Sequence, residues 1–400
     1  MKKILVLDTG KEWGGGTNSL LELLRRIDKS TYSFSALFYE NYKRGNDSDI
    51  KTEIEKLGIQ FQLIKQVKPA VAEKIIKEIF RNVLFFSKNL KRYFLFFVDY
   101  QTRIKKNAAE ISKIIKSKNI DLLYMNNQPS SNLEGIIAAK ITHIPAIQHS
   151  RIEAQLNSLV IKNANQGLAR IICVSEGVKN NLLQQRIEPS KCVVVYNGID
   201  PETKPSISSQ EIKSKWGISD DYIVIGTVGS LIKRKRISDL IDALHIAAIK
   251  TDCRIKCLIV GEGHERNKLL KLVNRKNLNG KVILTGFQSD AISYINAMDI
   301  FIMTSEKEGL PRVILEAMLM AKPVIASRIG GAAELIINRK TGLLFEKYNT
   351  KELADCILSL LSSKQIRNDM GKMGHERVID NYSIETYARN VQSNFKEILE

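Results

Sequence analysis

No run in this 400-residue chain approaches the ~20 apolar residues that a membrane-crossing helix needs. The start, Met1-Lys2-Lys3-Ile4-Leu5-Val6-Leu7-Asp8, opens like a secretory leader. Asp8 breaks its apolar run far short of the usual ~7–15 residues, so it reads as the first strand of the mature protein. Cysteine is scarce: five residues, an odd number, none in C-x-x-C spacing. That excludes a disulfide scaffold and fits buried thiols in a reducing cytoplasm. The five histidines also lack metal-site spacing, so no structural metal is expected. Internal repeats and low-complexity segments are missing too.

What is present is apolar content of 44% at a mean hydropathy of −0.14, the profile of a globular chain long enough for two domains. Strand-like apolar runs alternate with helix-period segments, the pattern of βαβ units and parallel sheets. In the first half the expected strands are 3–7, 33–38, 60–64, 121–125, 145–148, 171–174 and 193–195. In the second half they are 222–228, 255–260, 282–284, 299–303, 323–326 and 343–345. Helices are expected at 19–27, 49–57, 176–185 and 383–399. Residues 197–221 carry Gly198, Pro201, Pro205 and a serine-rich patch without clear period, and read as a linker. The expected organisation is a first domain over 1–197, a linker over 198–221 and a second domain over 222–382.

The net charge of +18 is uneven. Residues 1–197 hold 31 Lys and Arg against 18 Asp and Glu, and residues 65–118 hold 14 against 4. Within 80–106, Phe80, Phe85, Phe86, Tyr93, Phe94, Phe96, Phe97 and Tyr100 lie among Arg81, Lys88, Lys91, Arg92, Arg103, Lys105 and Lys106. An apolar face edged by cations suits a helix lying on an anionic membrane, and equally a helix whose aromatics pack on its own sheet. The aromatics fall in no recognised RNA-binding motif, so nucleic acid is not the expected partner.

The most informative stretch is Glu308-Gly309-Leu310-Pro311-Arg312-Val313-Ile314-Leu315-Glu316. Pro311 suits the first position of a helix, placing Glu308 in the preceding loop and Glu316 on an inner turn. The free N–H groups between them make an anion site. Alone, such a pair is commonly two solvated carboxylates, but here a strand precedes it, and Lys322 to Ser327, Gly330-Gly331 and Glu334 follow it. Other pieces appear in order: Trp13-Gly14-Gly15-Gly16-Thr17, His149-Ser150-Arg151, Val174 to Val178, Tyr196 to Asp200, Gly226 to Leu231 with Lys235, Val260 to Gly263, and Thr341 to Phe345. Together they resemble the retaining glycosyltransferases of family four, which have the GT-B fold.

The resemblance implies an α/β chain of two Rossmann-like domains facing across a cleft, with 383–400 crossing back to the first. It implies transfer of a hexose or N-acetylhexosamine from a nucleoside diphosphate sugar, with UDP favoured weakly over GDP, and no cofactor or metal. By this resemblance Lys235, Glu308 and His149 are the catalytic candidates. Gly15, Gly16, Thr17, Ser230, Arg234, Arg236, Gly309, Leu310, Pro311 and Glu316 would hold the donor. Glu316 would accept from the ribose hydroxyls. Thr17 could cap the helix after the glycine turn. The family often has Arg where Ser230 stands and Gly where Arg236 stands, so Lys233, Arg234 or Arg236 is expected to supply the missing cation. One D-x-D, Asp47-Ser48-Asp49, reads as a loop and helix cap rather than a metal site. The expected acceptor is a lipid-linked saccharide or glycolipid of envelope polysaccharide assembly, met at the inner face of the plasma membrane. A soluble transferase on a small sugar or metabolite, and a non-catalytic carbohydrate-binding module, are the alternatives.

Overall fold

In the computed structural model, which describes residues 1–44 and 48–400, the chain divides into two units. Unit 1 comprises Met1–Val174, Val178–Val195 and Ala388–Glu400; unit 2 comprises Ser175–Gly177 and Tyr196–Tyr387. The strands of unit 1 are β1 (Lys2–Asp8), β2 (Tyr32–Phe38), β3 (Gln60–Leu63), β4 (Leu122–Asn127), β5 (Ala146–Ser150), β6 (Arg170–Cys173) and β7 (Cys192–Val194). Those of unit 2 are β8 (Ile223–Val228), β9 (Ile255–Val260), β10 (Val282–Gly286), β11 (Ile300–Met303), β12 (Val324–Ser327) and β13 (Gly342–Phe345). Every strand expected from the sequence is present within a residue or two.

All pairings in these two sheets are parallel. The orders are β3-β2-β1-β4-β5-β6-β7 and β10-β9-β8-β11-β12-β13. Each is the Rossmann order, in which the strand sequence reverses beside the first strand and opens a crevice at the carboxyl ends. Helices cover the sheets, so central strands are apolar throughout: Ile4 to Leu7 and Ile300 to Ile302 are buried. In unit 2, Leu240, Ile241, Ala243 and Leu244 of the helix Ile237–Ile249 pack into that core with Ile357 and Leu360 from Thr350–Leu361.

The last helix, Ile384–Leu399, carries the chain back into unit 1. There Phe395 is fully buried, with ring centroids 6.0 Å from Tyr32 and 5.1 Å from Tyr124. Arg170 Nη1 anchors its end through Glu397 at 2.6 Å and Asn394 at 3.0 Å. The aperiodic 197–221 stretch contains a short helix, Ser209–Lys215, closed by a capping box between Ser208 and Glu211. Asp49 caps Ile50–Glu55 by accepting from Thr52 N at 2.8 Å, as its sequence context suggested. Asp47 lies outside the described residues.

Candidate functional site

In unit 2 the switch point lies between β8 and β11, paired through Ile225↔Ile300 and Gly226↔Phe301. The loops leaving those two strands bring Lys235 and Glu308 together. Lys235 Nζ is 2.7 Å from Glu308 Oε1, and Arg234 Nη1 lies 2.9 Å from the same oxygen. Backbone stitching fixes the pair: Glu306 N donates to Arg234 O at 2.9 Å, Thr304 Oγ1 to Lys235 O at 2.8 Å, and Arg234 Nη1 to Lys307 O at 2.6 Å. Glu308 is mostly buried, which by itself would raise its pKa. The adjacent Lys235 and Arg234 charges outweigh that and hold it below the usual carboxylate range. The result is an anion held between two cations, on two loops that hydrogen-bond to each other.

The rest of the loop is held from beneath. A Cβ on Gly331 would stand 1.8 Å from Gly309 O, so only glycine lets these backbones approach. Asn197 Nδ2 donates to Leu310 O at 3.3 Å, and Ser327 Oγ to Ser305 O at 2.6 Å. Glu334 accepts from the backbone N–H groups of Glu176 and Gly177 at 2.8 and 2.9 Å. Asn197 and Gly331 thus support the loop directly, while the Glu176 and Gly177 N–H groups bind Glu334 in the short helix that carries Gly331.

Pro311 is the N-cap of the helix Arg312–Leu319 rather than its first residue, because its ψ of 106° is extended. Glu316 therefore sits just over one turn inside. It is nearly buried and paired with Arg312, whose Nε lies 3.0 Å from its Oε1. The Arg312 Nη1 is buried with no hydrogen-bond partner among the described residues. Ser230, in the loop after β8, is exposed. Of the cations expected to replace an arginine there, Arg234 reaches Glu308 and Lys233 is exposed. Arg236 does not join them. Its guanidinium makes a two-point pair with Asp239 at 3.0 and 2.8 Å and stacks over Tyr348 at 4.8 Å, which ties it to the start of the next helix.

The switch point of unit 1 has different chemistry. Asp8, ending β1, is buried and accepts from Gly10 N at 3.0 Å, Asn126 Nδ2 at 2.6 Å and Asn127 Nδ2 at 2.9 Å. Burial raises its pKa, against these hydrogen bonds and the charge of Arg151. Arg151 Nε donates to Asn126 Oδ1 at 2.7 Å, and its side chain passes close to Gly16. The helix Gly15–Arg26 starts at the expected glycine turn, with Gly14 as N-cap. Thr17 lies inside the first turn and donates to Glu12 O at 3.2 Å, so it does not cap the helix. His149 is fully buried, its Nδ1 2.6 Å from Tyr124 Oη. Burial, with the nearby Arg151 charge, holds its pKa well below the usual histidine value. The ring is thus held neutral, buried beside Tyr124. Sequence reasoning passed over Asp8, Asn126 and Arg312; polar residues closing otherwise apolar strands were the available signal for the first two.

Residues 49–203 match the family model "Glycosyltransferase Family 4", and residues 208–377 match "Glycosyl transferases group 1". The chain is 25% identical over 335 residues to the N-acetyl-alpha-D-glucosaminyl L-malate synthase of Bacillus anthracis, covering 81% of this chain and 86% of that one. It is also 25% identical over 295 residues to the UDP-Gal:alpha-D-GlcNAc-diphosphoundecaprenol alpha-1,3-galactosyltransferase of Escherichia coli, covering 70% and 76% respectively. Among solved structures, HepE of Anabaena in complex with UDP-glucose superimposes with a TM-score of 0.79 at 21% identity, over 99% of this chain and 100% of that one. With both family models matched in order along a chain of two Rossmann-like units, this protein belongs to the group 1, family four glycosyltransferases of the GT-B fold.

Proposed function

We propose that the chain moves a hexose or N-acetylhexosamine from a nucleoside diphosphate sugar to an acceptor hydroxyl, keeping the anomeric configuration and needing no metal. The observation that carries this reading is the Lys235–Glu308–Arg234 cluster at the switch point of unit 2. Cleaving the bond from the anomeric carbon to phosphate oxygen leaves negative charge on the diphosphate and oxocarbenium character on the sugar. Lys235 and Arg234 are fixed where they can balance the former, with the N–H groups of Gly309 and Leu310. Glu308 orients both cations and faces the sugar. Preformed charge of this kind is worth on the order of 3 kcal/mol per donor. As the acceptor oxygen bonds to the anomeric carbon on the face the phosphate leaves, its proton passes to the departing phosphate oxygen, so no enzyme nucleophile is required. Glu316, already oriented by Arg312, takes the ribose hydroxyls.

The UDP-glucose bound in the Anabaena structure and the UDP-Gal donor of the E. coli relative favour UDP. That relative's acceptor, a sugar on diphosphoundecaprenol, favours a lipid-linked saccharide in envelope polysaccharide assembly, met at the inner face of the plasma membrane. The Bacillus relative, named for L-malate, supports a small soluble acceptor as the second reading. The first test is thermal stabilisation by UDP, GDP and their sugar conjugates, because a ligand bound only by the native state raises stability by mass action. A UDP-selective shift that Glu316→Ala abolishes is expected. No shift with any conjugate overturns the reading.

A further inference from the structure

The helices Val71–Val83 and Lys88–Asp99 form a hairpin in unit 1 whose polarity is inverted. Its inner side is ionic. Glu73 is buried and receives Lys77 Nζ at 2.7 Å, Thr102 Oγ1 at 2.9 Å and Arg103 Nε at 3.3 Å. Lys77 also reaches Asp99 at 2.6 Å, and Arg103 pairs with Asp99. Phe80 and Phe94, stacked at 5.2 Å, close the hairpin above that cluster. The outer side is apolar. Val71, Ile75, Ile79 and Val83 recur every fourth residue, which sets them along one face of the first helix, and all are exposed. Leu90, Tyr93 and Phe97 are exposed on the second, and at the tip Phe85 and Phe86 are 79% and 68% exposed. The surface expected at 80–106 thus begins earlier, at Val71, and ends near Phe97. Beyond it, Tyr100 is half-buried and Ile104 buried, in a π-turn that leads into the helix Lys105–Lys118.

We propose that this outer face docks on an anionic lipid bilayer, with the Phe85-Phe86 tip entering the boundary between headgroups and acyl chains. A contiguous apolar surface of this extent marks an interaction site, and the charge around it selects the partner. Residues 65–118 hold 14 basic and 4 acidic side chains. The acidic ones are already neutralised: Glu73 and Asp99 by the inner cluster, Glu78 by Arg81 at 2.7 Å and Glu110 by Lys113 at 2.7 Å. Lys65, Lys68, Lys74, Arg92, Lys105 and Lys106 remain at the surface. A second copy docking on the same face would set this positive field against itself, whereas phosphate headgroups complement it. Among the described residues no helix is long and apolar enough to cross a membrane, so the hairpin lies on the bilayer.

This inference rests on the lipid-linked acceptor reading, yet it fails separately. Docking is measured on vesicles that contain no acceptor, and chemistry by release of UDP from a UDP-sugar without vesicles. The full chain is floated with phosphatidylcholine vesicles with and without phosphatidylglycerol, at low and high salt. Binding is expected only with the anionic lipid and should weaken as salt rises. Phe85→Ser with Phe86→Ser, and separately Lys74→Glu with Arg92→Glu, should each weaken it on the order of tenfold or more. All four sites are surface-exposed, so the melting temperature and UDP release should stay at the parent's level. Absence of binding, or binding that survives both double variants, overturns the proposal. So does a dimer seen by light scattering that Phe85→Ser with Phe86→Ser dissociates.

Discussion

Each unit places a buried carboxylate at its switch point, and the two are handled in opposite ways. Glu308 in unit 2 is met by cations, Lys235 and Arg234, and is held in its charged form. Asp8 in unit 1 is met by hydrogen-bond donors, from Gly10, Asn126 and Asn127, and burial pushes its pKa up. One carboxylate is balanced by charge and the other by fixed dipoles, and only the first balance outweighs burial.

The largest expected effect that separates the two is on turnover. Lys235→Ala should lower kcat on the order of 10²–10³-fold, measured by UDP release, with the fold intact by circular dichroism. Asp8→Asn should act mainly on stability. It turns an amide N–H2 toward donors already aimed at Asp8, at a cost of about 1–3 kcal/mol in the urea midpoint. If Asp8→Asn abolished turnover with an unchanged midpoint, the contrast would collapse.

The pH dependence of stability sharpens it further. Glu308 has a lowered pKa in the folded state, so its ionisation contributes stability above the ordinary carboxylate range. That contribution is lost as pH falls through the folded value. Asp8 has a raised pKa, so its contribution is present below its unfolded value and lost as pH rises through the folded one. Melting curves across the acid range should therefore show less loss of stability on acidification for Glu308→Gln than for the parent. Asp8→Asn should show more. The smallest effect is expected at Arg236. Replacing it with Ala removes a partly exposed pair with Asp239 and should cost no more than about 1 kcal/mol. Donor affinity by calorimetry should stay unchanged, and a large loss would return Arg236 to the phosphate shell.

The central strands were legible because a parallel strand covered on both faces must be a short, largely apolar run, as in Ile4 to Leu7 and Ile300 to Met303. The convergence of Lys235 and Glu308 was legible through family motifs. Side-chain partners were less so, because they depend on which loops the topology brings together. Nothing adjacent to His149 announces that Tyr124 will enclose it, and Thr17 has the right chemistry for a cap one turn too late. The helix Ser209–Lys215 is too short to show a period, although Ser208 and Glu211 spell its capping box in plain view. Which face of the 80–106 segment turns outward stayed open, because an inside-out helix pair has the same amphipathic period as an ordinary one. Period reports that a helix has two faces and leaves open which one meets the core.

The return of the last helix bears on how the protein is made. Most of unit 1 is translated before unit 2, yet Phe395, which packs beside Tyr32 and Tyr124, leaves the ribosome only after unit 2. Throughout synthesis of unit 2 the amino-terminal half would carry an unfilled aromatic socket on the nascent chain. A fragment ending at the linker should then expose that socket permanently and aggregate, whereas adding residues 384–400 as a separate peptide should restore its solubility.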